Sequence, residues 1–218
     1  MTTQAAQKSA PRLGAAICVL ASIAITLAIP NRYVFGPHWV IGAADTVLFV
    51  LFFISAIGHA KDLPRWLGDG AVFTVVVVLT VVNLLSLIAL IVLILFHVKD
   101  IDGHRLLGSA VVTWVGNLLA FALLYWLLDG GGPDARINSD SWRADFVFPQ
   151  PVRKADLDPN WRPNFLDYLF LAFSTATAFS PTDTPPLTTR ARMLMLVEAT
   201  ASLLTIAITA ARAVNILN

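Results

Sequence analysis

The chain has 218 residues, 57% of them hydrophobic and only 13% charged, with a net charge of +1. Several apolar runs of spanning length give the pattern of an all-α polytopic membrane protein. Basic residues that occur in ones and twos leave no nucleic-acid footprint, and the single cysteine, Cys18, excludes an intrachain disulfide or a thiolate metal site.

Lys8 and Arg12 precede the first apolar run as in a secretory signal, but that run ends in Ala-Ile-Pro-Asn without a small-x-small cleavage site. It is expected to stay as a first span, about Leu13 to Ile29. A short loop with Arg32 and His38 leads to a second span, about Trp39 to Gly58. Asp45 lies about two turns into it, either as an interfacial carboxylate or as a partner for a cation. The third span, Ala71 to Phe96, is rich in Val and Leu and longer than the hydrocarbon thickness, so it should tilt. His97, Asp100, Asp102 and His104 follow in a polar loop without zinc-type spacing, and read as solvated rather than metal-binding. The fourth span runs from about Leu106 to Leu128. Ser109, Thr113 and Asn117 recur on one face of it, as Thr80, Asn83 and Ser86 do more loosely on the third; interhelical hydrogen bonding is the expected use of both stripes.

Residues 1–128 thus read as a four-helix transmembrane region, and 129–164 as a polar loop. The loop opens on Asp-Gly-Gly-Gly-Pro and holds prolines at 149, 151, 159 and 163, a composition suited to an ordered surface loop too short for its own core.

Residues 165–218 are the most informative part. A bilayer core needs about 20 apolar residues of helix. Phe165 to Phe179 supplies 15 before Pro181 biases Ser180 away from helical geometry. Asn164 is placed to cap this short helix, and Asp167 to meet its positive end. The pattern predicts a re-entrant half-helix, because irregular backbone at membrane depth is tolerated only inside protein or beside water. Its carbonyl end points to Ser180, Pro181, Thr182 and Asp183, where helix dipole and side-chain oxygens would attract a cation. Arg190 and Arg192 oppose that attraction, and the alternative is that Asp183 only shapes the turn.

The last span, about Thr189 to Ile216, carries Glu198, Ser202, Thr205, Thr209 and Arg212 at intervals that hold all five within about 40° of one stripe. An ionisable group within a membrane usually faces a bundle interior or a water-filled cavity, so the stripe should point inward. Glu198 and Arg212 lie about 21 Å apart along the axis and cannot pair. Two readings stand: hydroxyls that bond packed helices, or the wall of a solvated pathway.

With a cytoplasmic N-terminus and a re-entrant half-helix, Lys and Arg divide 11 inside against 4 outside. A sixth span in place of the half-helix gives 10 against 5, and only the side of the C-terminus changes.

Phe165-Leu-Asp-Tyr-Leu-Phe-Leu-Ala-Phe-Ser-Thr-Ala-Thr177, with a turn ending at Asp183, resembles the pore helix and filter of potassium-channel domains, and the last span would match their inner helix. The segment Thr177 to Thr182 stands where such a filter has Thr-Val-Gly-Tyr-Gly, and both glycines are missing, so the resemblance does not carry potassium selectivity. A second resemblance spans most of Trp114 to Asn218. Tyr125-Trp-Leu-Leu-Asp-Gly-Gly-Gly-Pro133, Phe146-Val-Phe-Pro-Gln150, Asp167-Tyr-Leu, Ala178-Phe-Ser-Pro-Thr-Asp183 with Pro186-Leu187, and Ala211-Arg-Ala-Val-Asn215 are similar to those of an uncharacterised bacterial integral-membrane family. It implies a membrane protein and no activity.

No Gly-x-Ser-x-Gly, His-Glu-x-x-His, Walker lysine or Gly-x-Gly-x-x-Gly occurs, so an enzyme is not expected and no cofactor or metal is called for. The expectation is a bundle of five spans plus one re-entrant half-helix in a bacterial inner membrane, with six spans as the alternative. It would be a pore or transporter for a small ion; the alternative is a non-conducting subunit of a membrane complex. A channel would require a homo-oligomer, since one inner helix and one loop cannot enclose a pore.

Overall fold

The computed structural model describes residues 20, 71–96, 103–138, 143–149, 161–177 and 183–217. Apart from Leu20, the first two expected spans, with Asp45, lie outside the described residues. The described part is helical: α1 (Ala71–Phe96), α2 (Gly103–Leu128), α3 (Pro133–Asn138), α4 (Phe165–Thr177) and α5 (Thr189–Leu217), with a 3-10 turn at Asp129–Gly131.

Each boundary has a local cause. α1 is an apolar run broken only by Thr74, Thr80, Asn83 and Ser86, without proline, glycine or charge. α2 stops at the glycine triplet, where Gly130, Gly131 and Gly132 take φ of 60°, 85° and 101°, angles that side chains with a Cβ avoid. At α4 the Asn164 side chain accepts from the Leu166 N–H at 2.8 Å, and Asp167 accepts from the Asn164 N–H at 2.7 Å. This reciprocal pair satisfies donors that a helix start leaves open. Thr188 caps α5 by accepting from the Ala191 N–H at 3.3 Å.

α2 is the central helix and packs against α1, α4 and α5. Its contacts with α5 run in opposite senses: Arg190 reaches the Leu128 carbonyl, Tyr125 meets Glu198, and Asn117 meets Ser202. α4 is antiparallel to α2 as well, since Phe165 packs on Trp126 at 6.2 Å between ring centroids and Phe173 on Trp114 at 6.3 Å. α4 and α5 therefore start at the same end of α2. By Thr188 the chain is back at that end, although α4 advances only about 18 Å.

Two helices, Ala110–Gly131 and Thr189–Ala211, are long and apolar enough to cross a membrane. α5 distributes its side chains in the reverse of a soluble amphipathic helix. Glu198, Ser202 and Thr205 are buried, while Met193, Leu196, Leu203, Leu204 and Ile206 are exposed. α4 likewise leaves Leu166, Phe170 and Phe173 outward.

The loop after α2 differs from the surface loop expected of it. Phe146 and Phe148 enter the core, and Phe146 forms an isolated antiparallel bridge with Pro186. The Val147 N–H donates to the Pro185 carbonyl at 3.0 Å, and the Leu187 N–H to the Asp145 carbonyl at 2.7 Å. The alternation Phe146-Val-Phe148 buries two aromatic rings on one side, the ordinary outcome of an extended segment with one covered face.

Candidate functional site

The seam between α2 and α5 holds the buried polar groups that the last-span stripe predicted. Glu198 and Ser202 are both 0% exposed, and Thr205 is buried one turn on. Ser202 accepts from the Asn117 amide at 3.0 Å. The Tyr125 hydroxyl donates to Glu198 Oε2 at 2.5 Å, a charge-assisted geometry when the carboxyl is ionised. Thr205 and Thr209 turn their hydroxyls back onto their own helix, donating to the Ala201 carbonyl at 2.7 Å and the Thr205 carbonyl at 2.6 Å. Of the predicted stripe, then, Glu198 and Ser202 engage α2 and the two threonines serve themselves.

Four buried polar atoms in this region have no hydrogen-bond partner among the described residues: Glu198 Oε1, Asn117 Oδ1, Asn83 Oδ1 and Trp114 Nε1. Three are acceptors. Asn83 of α1 joins the group because α2 has a glycine opposite it: a Cβ on Gly116 would fall 2.5 Å from Asn83 Nδ2. Such atoms carry a desolvation cost of about 1–3 kcal/mol each when left unsatisfied. A seam with surplus acceptors is suited to a guest that donates hydrogen bonds or carries positive charge.

A second polar cluster closes the end of the bundle where α2 stops and α4 and α5 start. Asp129 is fully buried; it accepts from the Asp145 N–H at 2.6 Å and from the Tyr168 hydroxyl at 2.5 Å. Buried Arg136 donates to the carbonyls of Trp126 at 2.9 Å and Asp129 at 2.5 Å, and its guanidinium lies 5.1 Å from the centre of the Tyr168 ring. Asp145 accepts from Arg190 Nε at 2.7 Å, Thr188 Oγ1 at 2.5 Å and the Gly130 N–H at 3.1 Å, and Arg190 adds a second bond through Nη2. Burial alone would raise the Asp145 carboxyl, but these bonds outweigh it and hold the group below the usual carboxylate range. The cluster ties the α2 terminus, the loop and the α5 start into one unit.

The remaining predicted positions fall apart from the seam or outside the described residues. Asp183 is exposed, two residues before Pro185. Ser180, Pro181 and Thr182 lie outside the described residues, as does the side chain of Arg212. Arg190, set against Asp183 by proximity in sequence, instead binds Asp145. Sequence reasoning missed Tyr125 as the partner of Glu198, and Asp145 as the shared partner of Arg190 and Thr188. Tyr125 lies three residues before the end of an apolar run, which signals only an interfacial aromatic. No sequence signal links it to Glu198.

No protein-family model, curated protein or solved structure matches the chain. Its functional reading rests on the residues themselves.

Proposed function

We propose that the chain is an inner-membrane protein that moves a small ion, with the pathway along the seam between α2 and α5. The observation that carries this reading is Glu198, a carboxyl with no exposed surface, one oxygen bonded to Tyr125 and the other open, on a helix apolar enough to span the bilayer. A helix pair that only needed to pack would gain nothing from such a group, because burying it costs several kcal/mol by typical estimates. The reading includes five spans, a re-entrant α4, a cytoplasmic N-terminus and assembly into a homo-oligomer. The common starting end of α4 and α5 supports re-entry over a sixth span.

A non-conducting membrane subunit is the second reading. It is favoured by the Asn117–Ser202 bond and the back-bonded threonines, which are what packing alone requires. The two separate in liposomes containing the purified protein and challenged in turn with gradients of protons, sodium, potassium and chloride. Transport predicts that a cation moves through wild type, that Glu198→Gln stops it, and that Leu203→Met, on the exposed face, leaves it intact. Wild-type liposomes as tight as empty ones would leave the subunit reading.

A further inference from the structure

Resting on the transport reading above, we infer that the ion carried through the seam is a proton, bound and released by the Glu198 carboxyl. The argument begins with charge balance. α1 has no ionisable residue along its whole length. From α2 the ionisable group facing Glu198 is Tyr125, with Asp129 one turn beyond and already bonded to Tyr168. α4 contributes Tyr168, so committed, and Asp167, which caps its own helix. On α5, Arg190 and Arg192 precede Glu198 by eight and six residues, about 12 and 9 Å along the axis, and Arg190 is held by Asp145. Buried Arg136 is turned to the Trp126 and Asp129 carbonyls, so among the described residues no cation is bonded to the Glu198 carboxylate, and one positive charge neutralises it.

A divalent ion exceeds that balance, and the described residues hold no group of three or more His, Cys, Asp or Glu that could take a metal. A dehydrated sodium or potassium ion needs a cage of oxygens, which membrane proteins usually draw from carbonyls freed at breaks in helices. α2 and α5 pass the seam unbroken, so their carbonyls stay within the helices. The open oxygens are Glu198 Oε1, Asn117 Oδ1 and Asn83 Oδ1, spread over three helices. A proton needs no cage. Placed on Glu198 Oε1 it makes the carboxyl neutral and turns an orphaned acceptor into a donor. On release the proton passes to water, the carboxylate remains, and the Tyr125 hydroxyl goes on donating to Oε2. Protonation from water on the other side restores the starting state.

Infrared spectroscopy of the protein in lipid reads the proton on Glu198 directly, and liposomes with a trapped pH indicator read its movement. Wild type should show a protonated-carboxyl stretching band that is absent in Glu198→Gln and displaced in Tyr125→Phe, which keeps the carboxyl and alters only its hydrogen bond. Proton uptake driven by a potassium diffusion potential should fall to the empty-liposome level in Glu198→Gln. If wild type moves sodium or potassium through Glu198 and no protons, the transport reading stands and the proton assignment is overturned. If no ion moves, the transport reading itself fails, whatever the infrared band shows. Absence of the band at every pH at which the protein stays folded overturns the proton assignment independently of flux.

Discussion

Tyr125 and Glu198 are 73 residues apart in sequence and meet at 2.5 Å between two long helices. The bond fixes where the carboxyl points and leaves Oε1 as its free face. Tyr125→Phe removes the donor while keeping the ring that packs on Phe146 at 5.1 Å, so the fold should survive with a loss of about 1–2 kcal/mol. Thermal unfolding in detergent checks this, and an unchanged melting temperature would mean that the bond adds nothing to the native state. Gly116 makes a different demand. Its missing Cβ leaves room for the Asn83 amide, so Gly116→Ala makes the end of that side chain shift, and against the ~1 kcal/mol that alanine gains in a helix the net loss should be at most about 1 kcal/mol. Gly116→Ala as stable as wild type would show that Asn83 turns away at little cost.

At the scale of elements, the loop between α2 and α4 acts as a clasp on the start of α5 through Asp145. Asp145→Asn should lower stability by about 2 kcal/mol at neutral pH by weakening the two hydrogen bonds that Arg190 donates. Because the folded carboxyl is held below its ordinary value, its contribution is fully present above the unfolded value of about 3.9 and is lost as pH falls through the folded one. Melting curves of wild type and Asp145→Asn should therefore converge in strong acid; a gap that persists there would assign the effect to shape rather than charge. Much of the element plan was legible in the chain. α1 was bounded by its apolar run, α4 by Asn164 and Asp167, and α5 was given its inward face by the spacing of Glu198, Ser202 and Thr205. The clasp was not, because Asp145 lies in a proline-rich polar stretch and its partners come from residues 43 and 45 positions away. Local pattern reports which face is buried, and it carries no record of which distant group meets it there.

For the whole molecule, the shared end of α4 and α5 leads to a topology that labelling can read. With Cys18 replaced by Ser, single cysteines at the exposed positions Arg143 and Arg192 should react with an impermeant thiol reagent from one side of the membrane and a cysteine at Asn218 from the other. Reaction of positions 143 and 192 from opposite sides would turn α4 into a sixth span. The inverted pattern of α5, carboxyl and hydroxyls inward with leucines outward, unites the architecture with the proposed activity: the same helix carries an apolar outer face suited to lipid and presents Glu198 to the seam. The most direct test of that union is the rate of potential-driven ion movement in liposomes for wild type against Glu198→Gln, both verified as folded. The account predicts movement in wild type and none above the empty-liposome leak in the variant; equal rates in the two would contradict it.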